Sequence, residues 1–405
     1  MSIFSDVEEA APIEVFHLVK VFNEDDHPLK VNLTVGAYRT DEGKPYYIPV
    51  VKKAENIVLE NTVNHEYLPI LGLESFTKSA SQLLLGDITK RQDDGTIFGV
   101  QSISGSGALR VGAEFLAKHL KCTTFYYSTP TWENHHLIFM NSGFKEAKTY
   151  RYWNAENRSI DFDGFIEDLS NAPENAVIIL HGCAHNPTGL DPTEVQWKQI
   201  AEIIKERKLL PFFDNAYQGF ASGDLEKDAW SVRYFLNQGF EFLCSQSFAK
   251  NYGLYNERAG NLTFVLNSVE NVKAVKSQVT MIVRGMYSNP PNHGARTVST
   301  ILNNNELKQE WLLTLKFMTN RIREMRKALR ENLEKLDTIG TWNHITDQTG
   351  MFSYTGLSAS HVEYIRNKYH IYMLRSGRIN ICGLNIDNVN YVAEAITDAL
   401  VNATN

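Results

Sequence analysis

The feature that most constrains the fold is a regular alternation, between about residues 100 and 270, of short apolar runs with amphipathic segments. The apolar runs have the length and the β-branched or aromatic content of strands. The predicted strands occupy residues 98–104, 122–128, 176–180 and 209–213 and a segment ending near residue 245. Strands that alternate with helices predict an α/β fold with a largely parallel central sheet that is covered by helices on both faces.

The chain changes character from about residue 316 onward. Residues 315–336 form a long, charged amphipathic segment, which predicts a helix, and a last helix is predicted near 387–401. We therefore expect a second, smaller α+β domain after the sheet domain.

Composition limits the classes of function. A chain of 405 residues with 43% hydrophobic and 21% charged residues is typical of a globular protein, and a formal net charge of -7 argues against a broad nucleic-acid surface. The sequence contains no apolar stretch of bilayer-spanning length, and the acidic start of the chain does not resemble a signal peptide. Four widely spaced cysteines are typical of free thiols in a reducing compartment. We expect a cytoplasmic protein without nucleic-acid or membrane partners.

Polar side chains follow several of the predicted strands. The segment 104–107, Ser-Gly-Ser-Gly, opens a helix, where backbone N–H groups and the helix dipole favour a phosphate, although Gly-x-Gly alone is a weak signal. Residues 181–185 have His-x-Cys-x-His spacing, but a second cluster that would complete four metal ligands is missing, so we expect no metal site. Asn186 lies in the sharp turn that follows, from which its amide can point into a cleft.

The next two strands each lead to an ionisable residue. Asp214 follows the apolar run 209–213 with Tyr217 three residues on, and Lys250 lies eight residues before Arg258. Taken alone, each has an ordinary interpretation as a capping acid or a solvated loop residue. Ligands in parallel sheets bind at the carboxyl ends of strands, so these residues are expected to lie together. The set suits pyridoxal phosphate, which needs a lysine for a Schiff base, an acid for its ring nitrogen and an anion site.

The order of these motifs also resembles a known family. The chain resembles the aspartate aminotransferases of the cytosolic type, which are class I pyridoxal-phosphate-dependent aminotransferases of fold type I. The matching segments are 31–39, 64–72, 130–135, 186–189, 214–220, 247–258, 288–291 and 376–380. The resemblance implies an N-terminal arm (1–11), a small domain (12–44 and 316–405) and a large cofactor-binding domain (45–315).

The resemblance also implies roles for the cofactor-site residues. Lys250 would bind the cofactor and move the proton, Asp214, oriented by His135, would pair with the ring nitrogen, and Trp132 would stack on the ring. Asn186 and Tyr217 would donate hydrogen bonds to the phenolate oxygen of the cofactor. The expected phosphate site consists of Gly105, Ser106, Ser247 and Arg258, with Tyr67 reaching over from a partner subunit. A contact from another chain implies a two-fold homodimer with shared active sites.

Two arginines are expected to select the substrate. The resemblance implies that Arg378 clamps the α-carboxylate, completed by Asn186, Val35 and Gly36, and that Arg284 reaches the neighbouring active site to pair with a side-chain carboxylate. Three positions depart from the family pattern. Ser106 replaces the usual Thr, Gly285 follows Arg284 where many relatives have a bulkier residue, and Arg375 stands where cytosolic relatives often carry Pro.

The sequence therefore predicts reversible transamination of L-aspartate and 2-oxoglutarate to oxaloacetate and L-glutamate. Three alternatives remain open at this point. The first is an aromatic or broad-range aminotransferase, because the segment that follows Arg284 differs from that of many relatives and so leaves open how strictly aromatic substrates are excluded. The others are a cofactor-binding homologue without turnover and a dinucleotide-dependent dehydrogenase, which the broken glycine pattern at Arg110 disfavours.

Overall fold

The central element of the computed structural model, which describes residues 2–403, is a seven-stranded sheet with the order β2-β10-β9-β8-β7-β3-β4. The strands are β1 (Val31–Asn32), β2 (Ile97–Ile103), β3 (Thr124–Thr129), β4 (Glu146–Arg151), β5 (Trp153–Asn154), β6 (Ser159–Ile160), β7 (Val177–His181), β8 (Leu210–Asn215), β9 (Phe242–Ser247), β10 (Ala259–Val265), β11 (Phe352–Tyr354), β12 (Ile371–Tyr372) and β13 (Arg378–Asn380). Neighbouring strands from β9 through β8, β7 and β3 to β4 are parallel, whereas β10 is antiparallel to both of its neighbours. The predicted mostly parallel sheet is confirmed.

Helices cover both faces of this sheet. The helices are α1 (Glu14–Glu24), α2 (Pro49–Glu60), α3 (Glu74–Leu85), α4 (Thr89–Asp93), α5 (Ser104–His119), α6 (Asn134–Asn141), α7 (Phe162–Ser170), α8 (Glu194–Glu206), α9 (Leu225–Asp228), α10 (Trp230–Asn237), α11 (Val269–Met286), α12 (His293–Leu302), α13 (Asn305–Lys335), α14 (Asn343–Asp347), α15 (Ala359–Tyr369) and α16 (Val389–Asn402). Successive side chains of a strand point to opposite faces, and the adjacent residues Phe212 and Phe213 accordingly enter two different apolar clusters, in which both are fully buried. This burial on both sides explains why the central strands are continuous apolar runs.

The carboxyl-terminal part of the chain packs together with residues near the amino terminus. Strand β1 pairs with β12 in parallel, so Val31 lies opposite Ile371 although the two residues are far apart in the sequence. The long helix α13 begins at Asn305, earlier than predicted, because the Asn304 side chain accepts a hydrogen bond from the Leu307 N–H and caps it. The pairing of β1 with β12 supports a small domain built from both ends of the chain, whose boundaries stay a prediction.

Among residues 2–403, we find no helix that combines the length and the apolar character required to span a membrane.

Candidate active site

A cavity of about 350 Å³ lies at the carboxyl ends of β7, β8 and β9. Most of the predicted site residues line it. They are Val35, Gly36, Gly105, Ser106, Trp132, Asn186, Asp214, Tyr217, Ser247, Lys250, Arg258 and Arg378. A larger cleft of about 780 Å³, between α3, α9 and α13, contains none of them. The chemistry of the lining residues, rather than cavity size, therefore identifies the candidate site.

Lys250 follows β9, and its side chain is half-buried because part of it borders the cavity. Burial lowers the pKa of its amine below the ordinary lysine value, and the carboxylate of Asp214 opposes this shift. The positive charges of Arg258 and Arg378 add to the lowering. The amine lies 5.6 Å from the centre of the Tyr217 ring. Lys250 is therefore more often uncharged and nucleophilic than a solvated lysine.

Asp214 is a buried carboxylate near the end of β8. Its Oδ2 accepts a hydrogen bond from Nε2 of the fully buried His135 at 3.0 Å, and its Oδ1 accepts one from the Ser245 hydroxyl at 3.3 Å. Burial, the largest single effect, would raise the pKa of Asp214, but the hydrogen bond from His135 and the electrostatic interactions with His135, His181 and Lys250 together outweigh it, and the net shift is downward. His135 is itself fixed by Thr131, whose hydroxyl lies 2.8 Å from Nδ1. The cavity thus contains an ionised carboxylate that suits a cationic N–H group.

The first turn of α5 forms an anion site together with the end of β9. The Ser104 N–H of this turn donates to the Arg258 carbonyl at 2.8 Å, and Ile103, which precedes the helix, has no side chain that could cap the N–H groups that follow. Gly105 is needed for space, because a Cβ at this position would come within 3.2 Å of the Ser247 Cβ. The guanidinium of Arg258, a half-buried residue, lines the same part of the cavity. These groups are suited to bind a phosphate.

Arg378 also lines the cavity and is buried. Its Nη2 donates to the Thr34 carbonyl at 2.8 Å and its Nη1 to Asn186 Oδ1 at 3.3 Å, while the guanidinium stands 4.1 Å from the centre of the Phe352 ring. Burial lowers the pKa of Arg378 to about 10, so the residue remains charged at neutral pH. Its Nε has no hydrogen-bond partner among the described residues. A buried, charged donor without a partner is suited to an incoming carboxylate.

Trp132 and Tyr217 provide two of the aromatic surfaces of the cavity. Trp132 is half-buried and meets His135 edge to face, with ring centres 5.5 Å apart. Tyr217 is buried, and burial raises the pKa of its phenol, which therefore stays protonated and can donate a hydrogen bond.

Besides His135, which is fully buried and contacts Asp214, two predicted site residues lie outside the cavity of this chain. Tyr67 is 81% exposed, and Arg284 is an exposed residue near the end of α11, where it donates a hydrogen bond to the Ser288 hydroxyl. Both were expected to act on a neighbouring active site, and this role stays a prediction. The histidines of the His-x-Cys-x-His segment are used as hydrogen-bonding groups, since His185 contacts Ser128 at 2.7 Å and Thr188 at 2.8 Å. The described residues contain no group of three or more potential metal ligands.

Part of the cavity lining was not predicted from the sequence. Ile13, Val15 and Phe16 at the start of α1 and Phe352 of β11 also face the cavity. Ile13 and Phe16 remain largely exposed. The sequence does show apolar side chains near the start of the chain, but it does not indicate which surface of the protein they cover.

Comparisons with known proteins extend over nearly the whole chain. A family model described as "Aminotransferase class I and II" matches residues 28–396. The curated "Aspartate aminotransferase, cytoplasmic" of Gallus gallus is 53% identical, with 98% of each chain covered. The solved structure of the aspartate aminotransferase from Saccharomyces cerevisiae cytoplasm is 42% identical, with a TM-score of 0.95 over 98% of each chain. An aromatic-amino-acid aminotransferase from Burkholderia pseudomallei, covalently bound to pyridoxal phosphate, is 38% identical, with a TM-score of 0.95 over 99% of this chain and 100% of that one.

Proposed function

Because the chain belongs to the class I and II aminotransferase family, we propose that it transfers the amino group of L-aspartate to 2-oxoglutarate, giving oxaloacetate and L-glutamate in a reversible reaction. The observation that carries this proposal is one cavity that contains both Lys250, with its lowered pKa, and the buried Arg378, whose Nε lacks a partner. A reactive amine and a carboxylate-binding guanidinium are what an amino-acid substrate requires. We assign the protein to the cytoplasm, as for the relative from Gallus gallus.

The donor set of the cavity fits pyridoxal phosphate as the cofactor. The space beside Ser247, which a side chain at position 105 would fill, suits the phosphate, and Asp214 suits the protonated ring nitrogen. Lys250 would hold the group covalently through Nζ. When bound, pyridoxal phosphate supplies an electron sink that stabilises negative charge at the Cα of the amino acid.

Three residues of the chain have the remaining roles, which are proton transfer, protonation of the ring nitrogen and orientation of the substrate. With the cofactor and substrate bound, Lys250 would accept the proton from the substrate Cα, and its lowered pKa favours the uncharged form that can do so. Asp214 would keep a proton on the ring nitrogen of the cofactor, because its own lowered pKa keeps the carboxylate ionised. Arg378 orients the substrate by binding the α-carboxylate with N–H groups that Thr34 and Asn186 do not occupy.

Dicarboxylic substrates require a second cation, and we propose that Arg284 of a partner subunit supplies it. Arg284 and Tyr67 are exposed and lie outside the cavity of their own chain, as expected for residues that complete a neighbouring site in a homodimer. The competing function is an aromatic or broad-range aminotransferase. It is favoured by the glycine at position 285, which adds no side chain beside Arg284 in α11; a Cβ there would meet nothing within 4 Å.

The cofactor is tested by absorbance spectroscopy of the purified protein. We expect a visible band from the lysine-bound cofactor that is lost in Lys250→Ala and kept in Lys205→Ala, which alters an exposed lysine of α8. The absence of such a band from the wild-type protein after incubation with pyridoxal phosphate would contradict the cofactor proposal.

Substrate choice is tested by kcat/KM for L-aspartate and L-phenylalanine in the wild type and in Arg284→Leu. We expect a strong preference for aspartate that Arg284→Leu removes, because the side-chain carboxylate then lacks its cation. Equal wild-type rates on both substrates would favour the broad-range alternative.

A further inference from the structure

Helix α1 is tied at both ends to the segment 370–375. At its carboxyl end, the Asp25 carboxylate accepts hydrogen bonds from His370 Nδ1 and the Tyr372 hydroxyl, both at 2.7 Å. At its amino end, Glu14 Oε1 accepts a hydrogen bond of 2.6 Å from the backbone N–H of Arg375. We refer to residues 13–25 as the strap, because this segment lies along 370–375 and is fastened at each end.

The amino-terminal turn of the strap has few other attachments. Within α1, all of which is described, Leu18 is the only buried residue. Ile13 precedes the helix and has no hydrogen-bonding side chain. Ile13, Val15 and Phe16 face the cavity, and Ile13 and Phe16 keep 52% and 69% of their surface exposed. Apolar burial therefore contributes little to holding this turn in place.

The hydrogen bond to Glu14 starts from the loop that leads to Arg378. Gly377 N–H donates to the Leu374 carbonyl at 2.9 Å, so Arg375 is the second residue of a tight turn, and its side chain is exposed. Only the backbone N–H of Arg375 contacts Glu14, so every residue except proline can form this hydrogen bond from position 375. Proline is itself favoured at the second position of such turns, so a substitution to proline is compatible with the local backbone.

We propose that Glu14 is a positioning residue that fastens the apolar first turn of the strap over the carboxylate-binding end of the cavity, through the N–H of residue 375. The strap and Arg378 then form one unit, so a substrate carboxylate bound to Arg378 is covered by Ile13, Val15 and Phe16. This inference rests on the proposed function, because it assumes that the cavity binds a dicarboxylate. The charge of Glu14 also reaches Arg378, where it weakly opposes the lowering of the pKa that burial causes.

The test uses variants on each side of the hydrogen bond. Arg375→Pro removes the N–H donor, and the matched control Arg375→Ala removes the same side chain but keeps the donor. Glu14→Ala removes the acceptor. Combining Glu14→Ala with Arg375→Pro completes a double-mutant cycle, in which two changes to one bond are not additive.

Three measurements on the holoenzyme report on the strap. Hydrogen exchange of the peptide covering residues 14–18 is expected to become roughly two- to fivefold faster in Glu14→Ala and Arg375→Pro, with wild-type protection in Arg375→Ala. The Kd of succinate, a dicarboxylate without an amine, and the KM of L-aspartate are expected to rise roughly three- to tenfold in the same two variants. We expect kcat to stay within about twofold of the wild-type value, because the bond does not contact Lys250. The double variant should lose no more than either single variant.

Three results would overturn the proposal. Arg375→Ala could reproduce the whole effect, which would assign it to the guanidinium. Glu14→Ala could bind succinate more tightly than the wild type, which would show that Glu14 acts only as a charge opposing the substrate. Unchanged hydrogen exchange in both Glu14→Ala and Arg375→Pro would show that the bond does not hold the strap. Failure of the proposed function would appear differently, as a wild-type protein without turnover whose strap exchange still responds to the variants.

Discussion

Replacing Arg378 by lysine separates the charge of this residue from its geometry. The guanidinium has five N–H donors, of which one is directed to the Thr34 carbonyl and one to Asn186. The Nε–H is buried without a partner among the described residues, and it can join a remaining N–H to form a planar fork for a carboxylate. A lysine ammonium keeps the positive charge but cannot present this fork.

The magnitude follows from the hydrogen bonds that are lost. One charge-assisted hydrogen bond to the substrate carboxylate is worth about 1.5–3 kcal/mol, which corresponds to roughly a ten- to hundredfold decrease in kcat/KM for L-aspartate. The Thr34 carbonyl also loses a donor at a buried position, so we expect the free energy of unfolding to fall by about 1 kcal/mol. The effect on catalysis should therefore exceed the effect on stability.

The assay is steady-state kinetics with L-aspartate, supported by the Kd of succinate and by thermal unfolding. Arg375→Lys is the matched control, because it makes the same change three residues earlier at an exposed side chain. A kcat/KM for Arg378→Lys within about threefold of the wild-type value, in a normally folded protein, would refute the argument that the fork binds the α-carboxylate.

Other predictions concern the acid, the lysine and the partner subunit. His135→Leu removes the hydrogen bond that lowers the pKa of Asp214, so the acidic limb of the kcat–pH profile should move to higher pH; an unmoved limb would contradict this. In the cofactor-free protein, the pKa of Lys250 is lowered, so between this pKa and the ordinary value of 10.5 the unfolded state binds more protons than the folded state. Calorimetry should therefore show the stability of the wild type rising relative to that of Lys250→Ala from pH 7 toward pH 10. A flat difference would refute this burial effect. Mixing Lys250→Ala, which is expected to be inactive, with Arg284→Leu, which is expected to be impaired toward L-aspartate, should give hybrid dimers with one intact site and about half the L-aspartate activity of a wild-type dimer. No gain in activity on mixing would exclude a shared site.

The local sequence was sufficient to predict the positions of residues at the ends of buried strands. Asp214 and Lys250 come just after apolar runs, and parallel strands end at the same edge of a sheet, so their proximity could be predicted without coordinates. Strand β10 was missed because it is less apolar, although the short connection from Ser247 to Ala259 is too brief for a helical crossover and favours an antiparallel neighbour. That antiparallel return brings Arg258 back to the edge where Lys250 lies.

The role of residues that do not lie at the carboxyl ends of the strands could not be predicted from strand positions. Nothing near Ile13 or Phe16 in the sequence indicates a cavity, because their position depends on hydrogen bonds between α1 and the segment 370–375. The departure at Arg375 likewise had no evident consequence until the structure showed its backbone N–H bonded to Glu14.

Periodicity and strand-end positions are local properties of the chain, and they were enough to predict the class of the fold and the grouping of Asn186, Asp214 and Lys250 at one edge of the sheet. Trp132, His135 and the two arginines were predicted only through the resemblance to a family. The pKa shifts, the buried Nε of Arg378 without a partner among the described residues, and the side chains that cover the cavity became known only from the folded chain. These properties arise from burial and from contacts between segments that are hundreds of residues apart, and such contacts leave no periodic signal in the sequence.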